Sequence, residues 1–304
     1  MSSDGSKLRR RLAVEGVSGA WFRAAGYFAV LVFALIGATL VWKSLPIISQ
    51  YSVVELLTSA TWDPAQNRFG FMPAIVGTVA VSVISMVIGA PIAILTAIYL
   101  AEYATDPWKS VISTFVDALA AIPGVVFGLV GLIVVVPFVR EYLAPAFGAD
   151  SAGQGILTAS LVMSIIVTPF IVSLTVESLE SLPHELREAT LSLGATEWEV
   201  TKHVLLRAAG PGILSALLLG FGRVFGATIV PAMLIGSQTV LPESVFSPGQ
   251  TLTTVIVNDF GELMSLPLTQ SALIFVGLLL LVVVWLFNFA AMLLRRRLER
   301  RWQY

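Results

Sequence analysis

Cysteine is absent from this 304-residue chain. That excludes disulfides, thiolate catalysis and Cys-ligated metals together. Histidine is scarce: only His184 and His203 occur, both in one polar segment, so no buried histidine-based metal or catalytic site is expected. The lysines are Lys7, Lys43, Lys109 and Lys202, and they follow Ser6, Trp42, Trp108 and Thr201. A P-loop needs Gly-Lys followed by Ser or Thr, because the lysine and the backbone amides must reach the same phosphates. No Gly-Lys occurs, so ATP hydrolysis by that route is excluded. Paired His-Glu metal motifs and the G-x-S-x-G elbow are missing as well. The chain is therefore expected to be no enzyme and to hold no cofactor. Charge is short too, at 12% of residues, against about a quarter in soluble proteins. The net charge of −1 gives no electrostatic ground for a nucleic-acid partner, and none is expected.

What the chain has is oil, with 57% hydrophobic residues. Apolar runs of about 20 residues are long enough to cross a bilayer as helices. Such runs lie at Ala24–Ile48, Met72–Leu100, Val111–Val139, Gly155–Leu179, Ile213–Gly236 and Leu268–Leu294. Pro91, Pro123, Pro169 and Pro231 fall inside them, and membrane helices tolerate proline better than soluble ones. The first run is long, begins late and lacks a small-residue cleavage site, so it reads as a retained helix. The expected fold is all-α, with six transmembrane helices in one domain over residues 24–294. Basic segments flank it at 1–23 and 295–304.

Basic residues set the expected orientation. Lys7, Arg9, Arg10, Arg11 and Arg23 precede the first run, and Arg295, Arg296, Arg297, Arg300 and Arg301 follow the last. Lys109, Arg187, Lys202 and Arg207 fall in the even-numbered connections. The opposite side carries only Lys43, Arg68 and Arg140. Cytoplasmic loops retain Lys and Arg, so both termini and the segment 183–212 are expected inside. Outside lie Gln50–Phe71, with the turn chemistry of Trp62-Asp63-Pro64 and Phe69-Gly70, and the long loop 237–267, which has no Lys or Arg. Long ordered loops are often functional, so that loop reads either as a docking or gating element or as a packed cover.

Two places carry function. The first is Pro183–Gly212, a charged amphipathic insertion that cannot sit in hydrocarbon and must meet water or a partner. Leu186, Ala189 and Leu193 recur there on one helix face fit to fill a groove. The second is Arg223, near the middle of the fifth run. A guanidinium at that depth costs several kcal/mol (roughly, on insertion scales), so it is expected to face a cavity, a partner or a counter-charge. Its planar fork suits a tetrahedral oxyanion. The plainer alternative pins it to Asp117 or to backbone carbonyls. Gly222 and Gly226 flank it at the spacing of close helix packing, while Gly220 and Thr228 have polar groups to offer a pathway.

Glu188-Ala189-Thr190, then Gly194, then Val204-x-Leu206 resemble the EAA motif of ABC importer permeases, which reads EAA, three residues, Gly, nine residues, Ile-x-Leu-Pro. Thr190 replaces the second Ala and Arg207 the Pro. The resemblance implies that Glu188, Ala189 and Gly194 belong to the loop that docks on a separate ATPase. Further motifs follow in order: Trp62-Asp63-Pro64 with Phe69-Gly70, Gly77-Thr78, Pro91 with Ile98–Tyr103, and Ala121–Gly128. After these come Gly220-Phe221-Gly222-Arg223, Pro248-Gly249 with Thr251-Leu252-Thr253, and Asn258–Glu262. Together they make nearly the whole chain similar to the PstC-type permease subunit of phosphate-specific ABC importers.

That resemblance implies a type I importer fold in a bacterial or archaeal cytoplasmic membrane. It implies a PstA-type second permease subunit, two ATP-binding subunits and an extracytoplasmic phosphate-binding protein as partners, and passage of phosphate past Arg223 and Thr228. The family usually reads Gly-Arg-x-x-Gly-Glu-Thr in the fifth span, and Ala227 stands where that Glu is expected. This keeps another oxyanion, sulfate or molybdate, as the alternative substrate. An ATP-independent carrier or channel would call for carboxylate relays inside the spans, and only Asp117 and Glu177 come near.

Overall fold

A chain this apolar must satisfy its backbone within each segment, which favours helix throughout. The computed structural model describes the backbone of residues 3–261 and 265–302, and side chains from 18 to 293 within those ranges, Ala291 excepted. Glu262, the terminal basic side chains from Lys7 to Arg11, and those from Arg295 onward lie outside what is described. Among the described residues the only extended pairing is the single bridge between Asp63 and Arg68.

The helices, in chain order, are α1 (Ser3–Gln50) and α2 (Val53–Thr58), then α3 (Met72–Tyr103, ending in a π turn) and α4 (Trp108–Ala121). Next come α5 (Gly124–Ala146), α6 (Ile156–Glu180), α7 (His184–Ser192) and α8 (Glu197–Ala208). The chain closes with α9 (Gly210–Phe225), α10 (Ile229–Leu234), α11 (Leu252–Asp259) and α12 (Pro267–Trp302). Five of these helices are long and apolar enough to cross a membrane, or up to six if α8 and α9, bent by 66°, count as one span. The protein is a multi-pass, all-helical membrane protein.

Two expected spans differ from the sequence reading. The third does not begin at Val111. Ile122 is extended (ψ 127°) ahead of Pro123, because a proline disfavours the helical region for the residue before it. The run splits into α4, which buries no residue, and the spanning α5. Asp117 thus sits on α4 and not within a span. The fifth does not run unbroken to Gly236: α9 ends at Phe225 and α10 starts at Ile229. Pro231 lacks an N–H, so the carbonyl of Ala227, four residues earlier, loses its helical donor. The Thr253 hydroxyl donates to that carbonyl at 2.8 Å instead.

Packing centres on α3 against α6, with α9 and α10 laid over them. Val81, Val162, Met163, Val167, Ile171 and Leu234 are buried at this core. Between membrane helices, small residues allow the close approach that packing needs. Gly220 is such a residue: a Cβ there would meet Ile171 at 2.8 Å. The expected packing pair, Gly222 and Gly226, does not pack within the chain. Gly222 has nothing within 4 Å, and Gly226 meets only the Gly222 carbonyl. They lie on the face that Gly220 turns away from the core.

From Ser18 onward the helix α1 is mostly exposed, and it is held near its end. The Ser271 hydroxyl accepts from Ile47 N–H and donates to the Lys43 carbonyl, each at 3.0 Å. This repairs the ladder beside Pro46, where a proline in a helix removes a bond.

The connections gather at two opposite ends. At one, the loop after α10 and the N-terminus of α6 meet: Gly155 N–H donates to Leu234, Ile156 to Ser247 and Leu157 to Val245. These satisfy amides that a helix start leaves unpaired. The same end holds Trp62, whose indole N–H donates to Asp259 at 2.9 Å, in a core with Leu56, Phe69, Phe71 and Leu252. The long loop 237–267 is packed in part, while residues 238–241 and 243–245 stay exposed. Its α11 buries Leu252, Thr253, Thr254 and Val255. At the other end lie α7, α8 and the close of α3 and α6.

Candidate functional site: the break beside Arg223 and the polar helix pair

The break between α9 and α10 is built by parts far apart in sequence. Gly77 lets the chain before α11 touch α3; a Cβ there would fall 2.1 Å from the Gln250 carbonyl oxygen. Thr78 Oγ1 accepts from Leu252 N–H at 2.9 Å, and the Thr251 and Thr254 side chains cap α11 reciprocally. One residue on, Thr253 holds the Ala227 carbonyl. The Gly77-Thr78, Thr251–Thr253 and Arg223–Ala227 motifs thus converge on a single feature.

Arg223 sits in the last turn of α9, just before that break, and its side chain is exposed. Its guanidinium carbon lies 5.1 Å from the ring centroid of Phe170 on α6, within cation–π range. Among the described residues no carboxylate reaches it within ion-pair distance. Pairing with Asp117 is therefore corrected. Asp117 instead lines a cavity of about 480 Å³ with Lys109, Ser173, Glu177 and Glu180, between α4 and α6. Among the described residues no hydrogen bond takes up the Arg223 side-chain N–H donors, and Gly222 and Gly226 leave the face beside it bare. Thr228 is half-buried and its hydroxyl bonds to the Gly226 carbonyl at 3.3 Å; no hydrogen bond joins it to Arg223.

The polar segment forms two short helices. Pro183 starts α7, and Gly194, at φ +86°, turns the chain in a conformation that costs other residues about 1–2 kcal/mol. Thr196 then caps α8 in a box with Glu199. Two hydrogen bonds from Thr196, backbone first and side chain second, hold the Glu199 carboxyl below its ordinary pKa. Glu188, Ala189, Leu186 and Leu193 are all exposed, Leu193 at 88%; α7 ends at Ser192, so Leu193 lies at its C-cap and not on the helix face with Leu186 and Ala189. Trp198 extends the apolar surface onto α8.

One constellation was not anticipated. Arg187 lies 3.1 Å from Glu102 at the end of α3 and also pairs with Glu197 at the start of α8. Its available signal was a carboxylate closing the apolar run of α3, opposite a basic residue in the polar insertion.

Residues 89–304 match the family described as "Binding-protein-dependent transport system inner membrane component". The chain belongs to this family. Relatives span nearly its full length. It is 34% identical over 296 residues to the phosphate transport system permease protein PstC of Haemophilus influenzae, covering 91% of this chain and 93% of that one. It is 31% identical over 320 residues to the PstC of Mesorhizobium japonicum, covering 99% and 95%. A probable ABC transporter permease, YqgH of Bacillus subtilis, is 37% identical over 243 residues, covering 79% and 77%. Among solved structures, a bacterial alginate ABC transporter in complex with an alginate-bound periplasmic protein matches with TM-score 0.63 at 18% identity, covering 93% and 96%. The methionine transporter MetNI matches with TM-score 0.54 at 22% identity, covering 74% and 93%. At these identities the structures speak for the fold of an importer permease. Membership makes this membrane component a non-catalytic permease that works with a further permease, ATPases and a binding protein.

Proposed function

We propose that this permease carries inorganic phosphate inward across a bacterial or archaeal cytoplasmic membrane, driven by ATP hydrolysed on separate subunits. The observation that carries the reading is Arg223: a guanidinium with no counter-ion among the described residues, at a break in a membrane helix. Broken helices at membrane depth are tolerated where they line a cavity or meet protein, and they serve as substrate sites in transporters. The exposed face around Arg223 would meet a PstA-type second permease subunit, with Thr228 next along the pathway. Relatives named as phosphate permeases support phosphate as the cargo.

In the same reading the chain crosses the membrane six times, with residues 24–294 as the permease domain and both basic termini, 1–23 and 295–304, in the cytoplasm. Glu188, Ala189 and Gly194, within 183–212, dock on the ATPases, and the loop 237–267 faces a phosphate-binding protein outside. A second reading rests on Ala227. Without a carboxylate there, Arg223 presents its full charge, which would also serve sulfate or molybdate.

The test is uptake of radiolabelled phosphate in cells expressing the complex, with unlabelled sulfate and molybdate as competitors. Phosphate uptake that neither competitor reduces is the expected result. Uptake of sulfate or molybdate in place of phosphate would move the assignment to the second reading.

A further inference from the structure

The helix pair that we read as the ATPase-docking surface meets the membrane bundle in two ways: α8 packs Val200 and Leu205 on Ile98 of α3 and Leu179 of α6, and α7 reaches the end of α3 through one ion-paired side chain. Arg187 projects from α7. One of its terminal nitrogens lies 3.1 Å from a Glu102 carboxylate oxygen, and the other pairs with Glu197. The two carboxylates differ in setting. Glu102 sits in the π turn that ends α3, with its side chain only 8% exposed, whereas that of Glu197 is 59% exposed. Glu102 Oε2 has no hydrogen-bond partner among the described residues, so the ionic contact with Arg187 is what offsets its burial. A buried carboxylate stripped of its partner is strongly unfavourable, and this end of the arginine is therefore the firm one. The exposed Glu197 is the yielding one.

The three residues belong to three different helices: the close of α3, the middle of α7 and the start of α8. The α3 helix is no bystander. Through Gly77 and Thr78 at its far end it holds the segment that leads into α11, and α11 holds the Ala227 carbonyl at the break beside Arg223.

We propose that Arg187 is a positioning residue: the strut that, beside the apolar seam of α8, ties α7 itself to the end of α3, so that force applied to α7 reaches the break at Arg223. It touches no substrate. A planar fork can hold two carboxylates at fixed angles at once, which an ammonium point charge does not reproduce.

The inference rests on the proposed docking role of 183–212, and its test separates the two. The complete complex, with its partner subunits, is purified and reconstituted, and phosphate imported per ATP hydrolysed is measured. The wild-type complex should retain its ATPase subunits; if it does not, the docking reading falls and the strut with it. If it does, Arg187→Gln should still retain them but import about five- to tenfold less phosphate per ATP, the size of a typical coupling between distant sites. Glu102→Gln should give the same loss, and the double variant no more than either alone, since both break one linkage. Arg187→Lys should recover part of the ratio. Glu197→Gln alters an exposed group and keeps the test open if the buried variants fold poorly; it should lower the ratio at full yield. An unchanged ratio in Glu197→Gln and Arg187→Gln, additive losses in the double variant, or loss of ATPase binding in Arg187→Gln would each overturn the strut while leaving docking in place.

Discussion

Arg223 has its guanidinium carbon 5.1 Å from the Phe170 ring centroid and no carboxylate within ion-pair distance among the described residues. An ammonium in its place keeps the charge and loses the paired donors. Arg223→Lys should therefore cut phosphate uptake about tenfold, the effect of roughly 1.4 kcal/mol of lost oxyanion interaction. Arg223→Ala should abolish uptake with folded protein and ATPase association intact, measured as radiolabelled phosphate per folded molecule. Full activity in Arg223→Ala would remove the residue from the mechanism. Ala227→Glu is the companion. Helical i+4 spacing places that position on the arginine's face, but the helix ends at Phe225, and Ala227 N–H bonds back to Val224 in a tighter turn. A glutamate there stands at the lip of the break, half-buried. It should change the rate or the anion preference, and identical transport of phosphate and its competitors would show that the two positions do not communicate.

Among the elements, the α7–α8 pair depends on its turn and its cap. Gly194 has open space around it but a left-handed backbone, which Asp enters more readily than most residues, so Gly194→Asp strains the turn only modestly and acts chiefly by placing a charge beside Leu193. The variant should remain in the membrane while ATP hydrolysis continues without uptake; normal uptake would sink the docking role of this turn. The Glu199 carboxyl is held below its ordinary range by Thr196, chiefly through the backbone bond. A depressed carboxylate stabilises the fold above its unfolded pKa and loses that contribution as pH falls through its folded value. The start of α8 should hold at neutral pH and fray in acid, seen as faster amide exchange near Glu199. In Glu199→Gln that acid dependence should vanish. At the opposite end, Gly77→Val should displace the segment before α11, because no side chain fits 2.1 Å from the Gln250 oxygen. The expected result is a lost fold or lost uptake, with thermal stability of the purified protein telling the two apart.

For the whole molecule, sidedness is the property on which the proposed direction of transport depends. A chain without cysteine allows clean labelling. Glu243 is exposed in the loop 237–267 and Thr105 in the connection after α3. In intact cells Glu243→Cys should react with an impermeant thiol reagent and Thr105→Cys should not, and the reverse pattern would invert the topology. The helical membrane class, the approximate spans and the polar helix pair were legible in the sequence, because each depends on local content: apolar length, charge excluded from hydrocarbon, and the turn signals of Pro183, Gly194 and Thr196. Arg223 was legible as an anomaly of depth, but its surroundings were not. Whether it met Asp117 or Phe170 depended on α4 splitting from α5 at Pro123 and on the face α9 turns to α6. The break at Ala227 was hidden as well. A proline inside a membrane helix is tolerated or disruptive according to whether another segment supplies the lost bond, and here the donor is Thr253, which the sequence places in a distant loop. The pairing of Glu102 with Arg187 is of the same kind. Sequence by itself determined which residues cannot face lipid. Tertiary structure decided which of them meet, because a contact between distant segments is set by how whole helices pack and not by the composition of either segment.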